Sequence, residues 1–455
     1  MFAKINFHDE FYQKLKLLVL PITMQQFMLA LVSATDAIML GAVSQTSLSA
    51  VSLAGQIQFV LNLFISGISA GSGIMAAQYW GKKDAASIEE VMPIALRTNL
   101  IFSGAFTVFA AVAPEVLMRI FTSDPALIES GAVYLRAVSL SYLLCGISQI
   151  YLILLKNTGY ATVSSRISCT AVVVNIICNA ILIYGLLGLP ALGIQGAAYA
   201  TVAARLVELI WSYLETKQSG RVQIIWKKMF RAADAVLTKD FWRYTTPVLG
   251  AALVWGIAYV SYSVIMGHMG SDAVAANSIT TIAKNVLSCL IRGVSGGAGV
   301  LIGNLLGAGE LDKAKVYGGR LTRMAIVVGM TTGGLLMLIS PLIVRFAPLS
   351  ETAAEYLQYM LIFCGCNIMA QSVNTTVLDG IFCAGGDSKF DMKGNLGAMW
   401  CFSVPFGFFA AFVLKWPVMV VYCIVNLDEI VKIPAVYLHY KKYIWVRNIT
   451  VQEDA

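Results

Sequence analysis

Two stretches decide the fold: GISAGSG at residues 67–73 and GVSGGAG at residues 293–299. They lie 226 residues apart, and the same offset pairs residues well beyond them. Pro21 pairs with Pro247, Gly41 with Gly267, Ala50 with Ala276, Ser52 with Ser278 and Gly81 with Gly307. No gap is needed over about 60 residues. So many matches in one register mark an internal duplication. Small-residue faces of this kind let membrane helices approach closely. Glycines at this density also suit bending or gating.

The composition says where such a duplicated chain can live. Of 455 residues, 58% are hydrophobic and 13% charged, with a mean hydropathy of +0.75. A soluble domain runs at roughly 45–50% apolar and 25% charged. No soluble fold could bury this much apolar surface. The chain reads as a polytopic membrane protein, which excludes a soluble enzyme, a disordered protein and a disulfide scaffold.

A spanning helix needs about 20 apolar residues. Apolar runs fall at about 15–41, 46–71, 91–113, 131–155, 167–189, 194–214, 241–267, 273–303, 318–342, 354–383, 395–414 and 416–440. The pattern predicts twelve transmembrane helices in an all-α membrane protein. With the N-terminus in the cytoplasm, 24 of the 32 Lys and Arg residues fall inside. Only Arg119, Arg136, Arg345 and Lys415 fall outside. That bias places both termini in the cytoplasm, and the expected location is the plasma (inner) membrane. The net charge of +7 obeys this rule and does not point to nucleic acid. The polar start MFAKINFHDEFYQKLK has no small-residue cleavage site and does not read as a signal peptide.

Six spans per repeat is an even number, so both halves enter the membrane from the same side. The expected architecture is two pseudo-symmetric six-helix bundles, an N-lobe over 1–214 and a C-lobe over 241–455. A cytoplasmic linker covers 215–240. Its residues Ile224, Ile225, Trp226, Met229 and Phe230 suit the membrane surface. Parallel repeats related by an axis along the membrane normal place a substrate site near the midplane and work by alternating access.

Nine cysteines, mostly inside apolar runs, read as packing residues. Three scattered histidines give no metal cluster. Ionisable residues within spans are costly and are functional candidates. Asp36, in SATDAIMLG, faces no repeat counterpart of like charge, since position 262 is Tyr. A carboxylate in low dielectric takes up a proton, or binds Na⁺ when amide oxygens surround it. Asn175 and Asn179 share one helix face at i, i+4 and supply such oxygens, unless they serve as interhelical hydrogen bonds. Arg205 and Glu208, at i, i+3, read as an ion pair. Asp428, Glu429 and Lys432 lie in VNLDEIVKIP, with Lys284 and Arg292 as candidate partners. Asp379 lies near the cytoplasmic end of its span, where it can be wet. Met24, Gln25, Met28, Trp255, Tyr259 and Tyr262 would form an aromatic, Met-rich wall suited to lipophilic cations.

Taken together these motifs resemble the multidrug and toxic compound extrusion (MATE) family. The marks are PITMQQ…TDAIMLG, GISAGSGIMAAQYWGKKD, LPALGIQGAAYATVAARLVEL, GHMGSDAVAANSI, GVSGGAGVLIGNLLGAGELDKA, VLDGIFCAGGDSKF and the tail NLDEIVKIPAVYLHYKKYIWVRNIT. The resemblance covers nearly the whole chain. It implies a V of two six-helix lobes and cation-coupled export of organic, often cationic, compounds. It also implies an N-lobe cation site at Asp36, Asn175, Asn179 and Thr201, for H⁺ or Na⁺. The sodium-coupled branch carries an acid in the seventh span, and here none occurs between Thr245 and Gly267. Its tenth-span acid falls near Ser372, and the arginine before GGD is Cys383. Coupling through Asp36 is therefore expected.

Other function classes fit less well. A flippase for lipid-linked precursors of related two-lobe architecture would want a strongly cationic interior. A membrane-embedded enzyme would want clustered acids or histidines around a metal. The expected partners are small organic molecules, a coupling cation and lipid. No cofactor is called for, and the chain reads as a monomer because it holds both lobes.

Overall fold

A computed structural model describes residues 9–230, 234–347 and 349–451. Residues 1–8 and linker residues 231–233 lie outside that description. All regular structure among the described residues is helical. This follows from the solvent: in lipid every backbone amide needs an internal partner, and a helix supplies it within one segment.

The principal helices are α1 (Glu10–Val43), α2 (Gln45–Gly81), α3 (Ala85–Val112), α4 (Pro125–Asn157), α5 (Ala161–Tyr184) and α6 (Ile194–Thr216). The second half gives α7 (Ala235–Gly267), α8 (Ser271–Gly307), α9 (Leu311–Phe346), α10 (Glu351–Phe382) and α11 (Ser388–Val413). Two shorter pieces follow, α12 (Val418–Val425) and α13 (Asp428–Tyr440). Helices cover all twelve apolar runs of the sequence. Ten of them, α1–α5 and α7–α11, are long and apolar enough to cross a membrane. The other two stretches, α6 and α12–α13, are those that carry Arg205 with Glu208, and Asp428 with Glu429 and Lys432.

Local chemistry sets the ends. Asp84 starts α3 by accepting the Ser87 amide at 3.0 Å. Asp124 starts α4 by accepting from Ala126, with Pro125 in the first turn. Both satisfy amides that an isolated helix leaves open. Gly185, at φ 71°, ends α5 in a left-handed turn that a side chain would strain.

The chain folds into two compact units that do not follow the 1–214 and 241–455 division. One comprises Phe27–Trp80 with Asp84–Leu249, and is called here the Asp36 unit. The other comprises the stretch ending at Gln26, the turn Gly81–Lys83, and everything from Gly250, and is called the Lys432 unit. The first halves of α1 and α7 are thus exchanged. The duplicated glycines explain why. In the Asp36 unit, a Cβ at Gly67 would sit 2.8 Å from Leu249 Cα, and one at Gly71 would sit 2.7 Å from Thr245 Cα. In the Lys432 unit, Gly293 meets Thr23 and Gly297 meets Val19 in the same way. Leu249 and Thr245 are the repeat mates of Thr23 and Val19. The duplication therefore conserves a contact, glycine face against incoming half-helix, and not merely a composition. Pro21 and Pro247 lie inside α1 and α7 within these exchanged halves.

Each unit has its own apolar core. Phe11 and Leu15 of α1 pack with Leu301, Leu305, Leu321 and the fully buried Trp445 in the Lys432 unit. Ahead of α1, the Phe11 amide and then the Arg320 guanidinium hold the Asp9 carboxyl below its usual range. Leu40, Leu61, Leu135, Tyr142 and Ile183 form a core in the Asp36 unit. The linker corrects one expectation. Ile224 and Met229 are buried against the Asp36 unit instead of lying on a surface. Trp226 donates to Tyr151 Oη at 2.7 Å, and Lys228 pairs with Glu90 at 2.7 Å. Phe230 is exposed.

Candidate functional site

The Asp36 unit brings together the four residues of the expected cation site. Asp36 comes from the second half of α1, Asn175 and Asn179 from α5, and Thr201 from α6. The i, i+4 spacing on α5 does put both amides on one face. Asn179 Nδ2 donates to Asp36 Oδ1 at 2.5 Å and to Asn175 Oδ1 at 3.2 Å. Asn175 Nδ2 donates to Thr201 Oγ1 at 3.4 Å. Thr201 Oγ1 donates to the Ala197 carbonyl at 3.0 Å. The result is a continuous polar chain across three helices.

Apolar packing holds this chain in place. About one turn from Asp36, Asn179 and Thr201, the residues Leu40, Ile183 and Ala197 belong to the unit's core. Asn179 is fully buried and Asn175 nearly so. Asn179 Oδ1 is buried with no hydrogen-bond partner. A buried unpaired acceptor costs about 1–3 kcal/mol, and this one sits beside a carboxylate, where it could accept from a donor or a cation. No basic side chain pairs with Asp36 among the described residues. The donor set is all oxygen and suits a proton or a hard monovalent cation.

The second expected pair also forms in this unit. Arg205 Nη1 lies 2.9 Å from Glu208 Oε2. The other Glu208 oxygen accepts from Ser148 Oγ at 2.6 Å and Gln149 Nε2 at 3.3 Å. Every carboxylate oxygen is engaged, and the pair clamps α6 to α4.

The Lys432 unit holds the third group. Lys432 Nζ lies 3.3 Å from Asp428 Oδ2, 3.2 Å from Glu429 Oε1 and 3.2 Å from Asn395 Oδ1. Asn395 in turn donates to Asp391 at 3.1 Å, and Asn374 donates to Glu429 Oε2 at 2.8 Å. Lys284 and Arg292 of α8 make no ion pair among the described residues, although Lys284 acts electrostatically on Asp428 and Glu429. Asp379 faces the same cluster electrostatically. Sequence reasoning missed Asp391, Asn395 and Asn374. It began the eleventh span at residue 395, whereas α11 begins at Ser388 and turns Asp391 and Asn395 inward while Lys389 and Lys393 stay exposed. The signal was the i, i+4 spacing of Asp391 and Asn395.

The expected aromatic wall is only partly assembled. Trp255 and Tyr259 stack at 5.5 Å with an interplanar angle of 16°. Tyr262 packs beside Ile265, Val421 and Val425. Met24 is exposed. These residues and Gln25 belong to the Lys432 unit, while Met28 belongs to the Asp36 unit. A surface cavity of about 770 Å³, lined by Glu115, Arg119, Thr122 and Arg136, contains none of them.

With this geometry in hand, comparison with known proteins decides the family. The MatE family model matches residues 21–181 and again 247–409. The two matches start 226 residues apart, the offset of the internal repeat. The chain belongs to the MatE family. A similar MatE relative is the uncharacterized transporter YisQ of Bacillus subtilis, 22% identical over 91% of this chain and 90% of that protein. Another is the probable multidrug resistance protein NorM of Agrobacterium fabrum, 24% identical over 76% of this chain and 73% of its own. A crystal structure of MATE in complex with MaL6 has the same fold, with a TM-score of 0.85 at 18% identity over 95% of this chain and 96% of that one. A MOP superfamily transporter from Pyrococcus furiosus superposes with a TM-score of 0.86 at 18% identity, covering 95% of each chain. This MatE protein is thus an integral membrane transporter with the all-helical fold of that family.

Proposed function

We propose that this MatE transporter is a cation-coupled antiporter. It exports organic, cationic or amphipathic small molecules by alternating access. It acts in the plasma (inner) membrane with both termini in the cytoplasm, as a monomer, without a cofactor and without catalysing a covalent reaction. The observation that carries the reading is the chain from Asp36 to Thr201, with its unpaired acceptor at Asn179 Oδ1.

The chain has a direction. Asn179 donates toward both Asp36 and Asn175, and Asn175 donates on to Thr201. Proton uptake converts Asp36 from an acceptor into a donor. Asn179 then turns its amide to accept, which offers its unpaired oxygen to the new hydroxyl. Two amide oxygens would now face each other, so Asn175 turns as well and accepts from Thr201. Thr201 releases the Ala197 carbonyl. One proton on α1 thereby alters a hydrogen bond on α6. A sodium ion has the same consequence, because it too draws Asn179 Oδ1 toward the carboxylate. Release of the cation restores the first arrangement, and substrate binds in one of the two states more tightly than in the other.

The test is ethidium efflux from proteoliposomes with a pH gradient and a Na⁺ gradient imposed separately. Efflux driven by either gradient names the coupling ion. Well-folded protein that gives no efflux under both gradients overturns the proposal.

A further inference from the structure

The buried cluster of the Lys432 unit has an arrangement that the coupling reading does not use. An ammonium group has three N–H donors and no acceptor. Lys432 Nζ has three oxygens around it, from Asp428, Glu429 and Asn395, all at 3.2–3.3 Å. Lys432, Asp428 and Asn395 are 6%, 5% and 7% exposed. The oxygens are themselves held: Asn374 fixes Glu429, and Asn395 is anchored to Asp391. On α10, whose Asn374 Nδ2 holds Glu429, the oxygens Asn367 Oδ1, Gln371 Oε1 and Asn374 Oδ1 recur at i, i+4 and i+7, buried and without hydrogen-bond partners. Carboxylate and amide oxygens from two helices, α11 and α13, converging on one positive charge, are what a hard cation selects.

We infer that Lys432 is a tethered cation filling a monovalent-cation site in the Lys432 unit, a site that takes Na⁺ or a small alkylammonium from solution once the ammonium is removed. The charge balance agrees. Asp379, Asp391, Asp428 and Glu429 face the cluster, and without Lys432 only Lys284 and Arg292 remain to offset them. Neither comes within ion-pair distance. The wild-type unit then holds its cation through the whole cycle. If coupling does run through Asp36, as proposed above, only the Asp36 unit exchanges a cation.

The experiment keeps the two sites apart by working in an Asp36→Asn background. Purified Asp36→Asn and Asp36→Asn/Lys432→Ala proteins are melted in choline, sodium and methylammonium chloride at equal ionic strength. The Lys432→Ala protein is expected to melt lower in choline. Sodium or methylammonium should restore its melting temperature by several degrees in a saturable way, because a ligand bound only by the folded state stabilises it. Asp36→Asn alone, and Asp36→Asn/Lys432→Arg, should melt alike in all three salts. Recovery of folded Lys432→Ala protein only when sodium or methylammonium is present during purification would support the inference equally. The neutral, similarly long Lys432→Gln serves if Lys432→Ala fails in every salt. A cooperative Lys432→Ala or Lys432→Gln protein indifferent to the cation overturns the inference. So does a sodium-specific stabilisation of Asp36→Asn that Asp428→Asn removes. Efflux plays no part in these readouts, so a failure of coupling at Asp36 leaves them interpretable.

Discussion

The centre around Asp36 and the centre around Lys432 bury carboxylates in opposite ways. At Asp36 one carboxylate accepts from the amide of Asn179, and that residue's own oxygen is left unpaired. At Lys432 several acids share a cation fixed to the same chain. The backbones differ as well. The helices around Asp36 are regular, whereas Thr376–Phe382, Leu396–Ser403 and Phe409–Val413, all in the Lys432 unit, are π-helical. Such segments concentrate at functional positions because they re-aim side chains at a cost in hydrogen-bond geometry. A duplicated chain has thus kept one packing scheme and diverged in its polar interior. On the two readings proposed above, the Asp36 unit is open to a cation from outside and the Lys432 unit is closed by its own.

The largest expected effect would break that contrast at its open end. Asp36→Asn keeps the shape and the hydrogen bond but removes the charge. Gradient-driven efflux should fall to the level of protein-free vesicles while the protein still melts cooperatively. Normal efflux from Asp36→Asn would end the assignment. Next comes the closed end. Lys432→Met leaves buried acids without their counter-ion, a loss of about 3–5 kcal/mol for a broken buried pair. Its melting temperature in choline buffer should drop well below that of Asp36→Asn. Equal melting of the two would mean that the cluster is wet and weakly coupled.

Two milder changes sharpen the shared packing scheme. Gly71→Ala sets a methyl against the Thr245 backbone at 2.7 Å, whereas Gly297→Ala meets chiefly the end of the Val19 side chain at 2.9 Å. Overpacking costs about 1–3 kcal/mol, and the Gly71 variant should sit at the upper end because backbone cannot turn aside. Thermal melts that rank the two in reverse order would contradict this reading. The smallest effect belongs to Thr201→Ala. It removes the hydroxyl's hydrogen bonds to Asn175 and to the Ala197 carbonyl, and the loss of the one that continues the chain is about 1 kcal/mol or roughly fivefold. Proteoliposome efflux should slow by about that factor, with little change in melting temperature.

Much of this was legible in the sequence. Hydropathy gave the helices, and the single offset from Pro21 to Gly307 gave the duplication. The residue set at Asp36 was carried by resemblance, together with the i, i+4 amides of α5. The rest was hidden for physical reasons. Asp391 sits in a charged turn, DSKFDMKGN, that hydropathy assigns to water, and only the tertiary arrangement turns it inward. Val19 and Thr23 look like any apolar stretch, so nothing in them announces that their partners are Gly297 and Gly293. The linker residue Ile224 is equally apolar whether it meets lipid or, as found, is buried in the protein.

The exchanged half-helices bear on how the molecule is made. The first turns of α1 leave the ribosome early, yet the glycines they pack against are encoded about 270 residues later. At the usual 5–20 residues per second, that is a wait of roughly a quarter of a minute to a minute. During that interval Val19 and Thr23 lack the glycines they pack against in the folded protein. The Lys432 unit cannot close around its own second half alone. It needs the first half of α1, made well before its other helices, to complete it, so its assembly joins segments far apart in the order of synthesis.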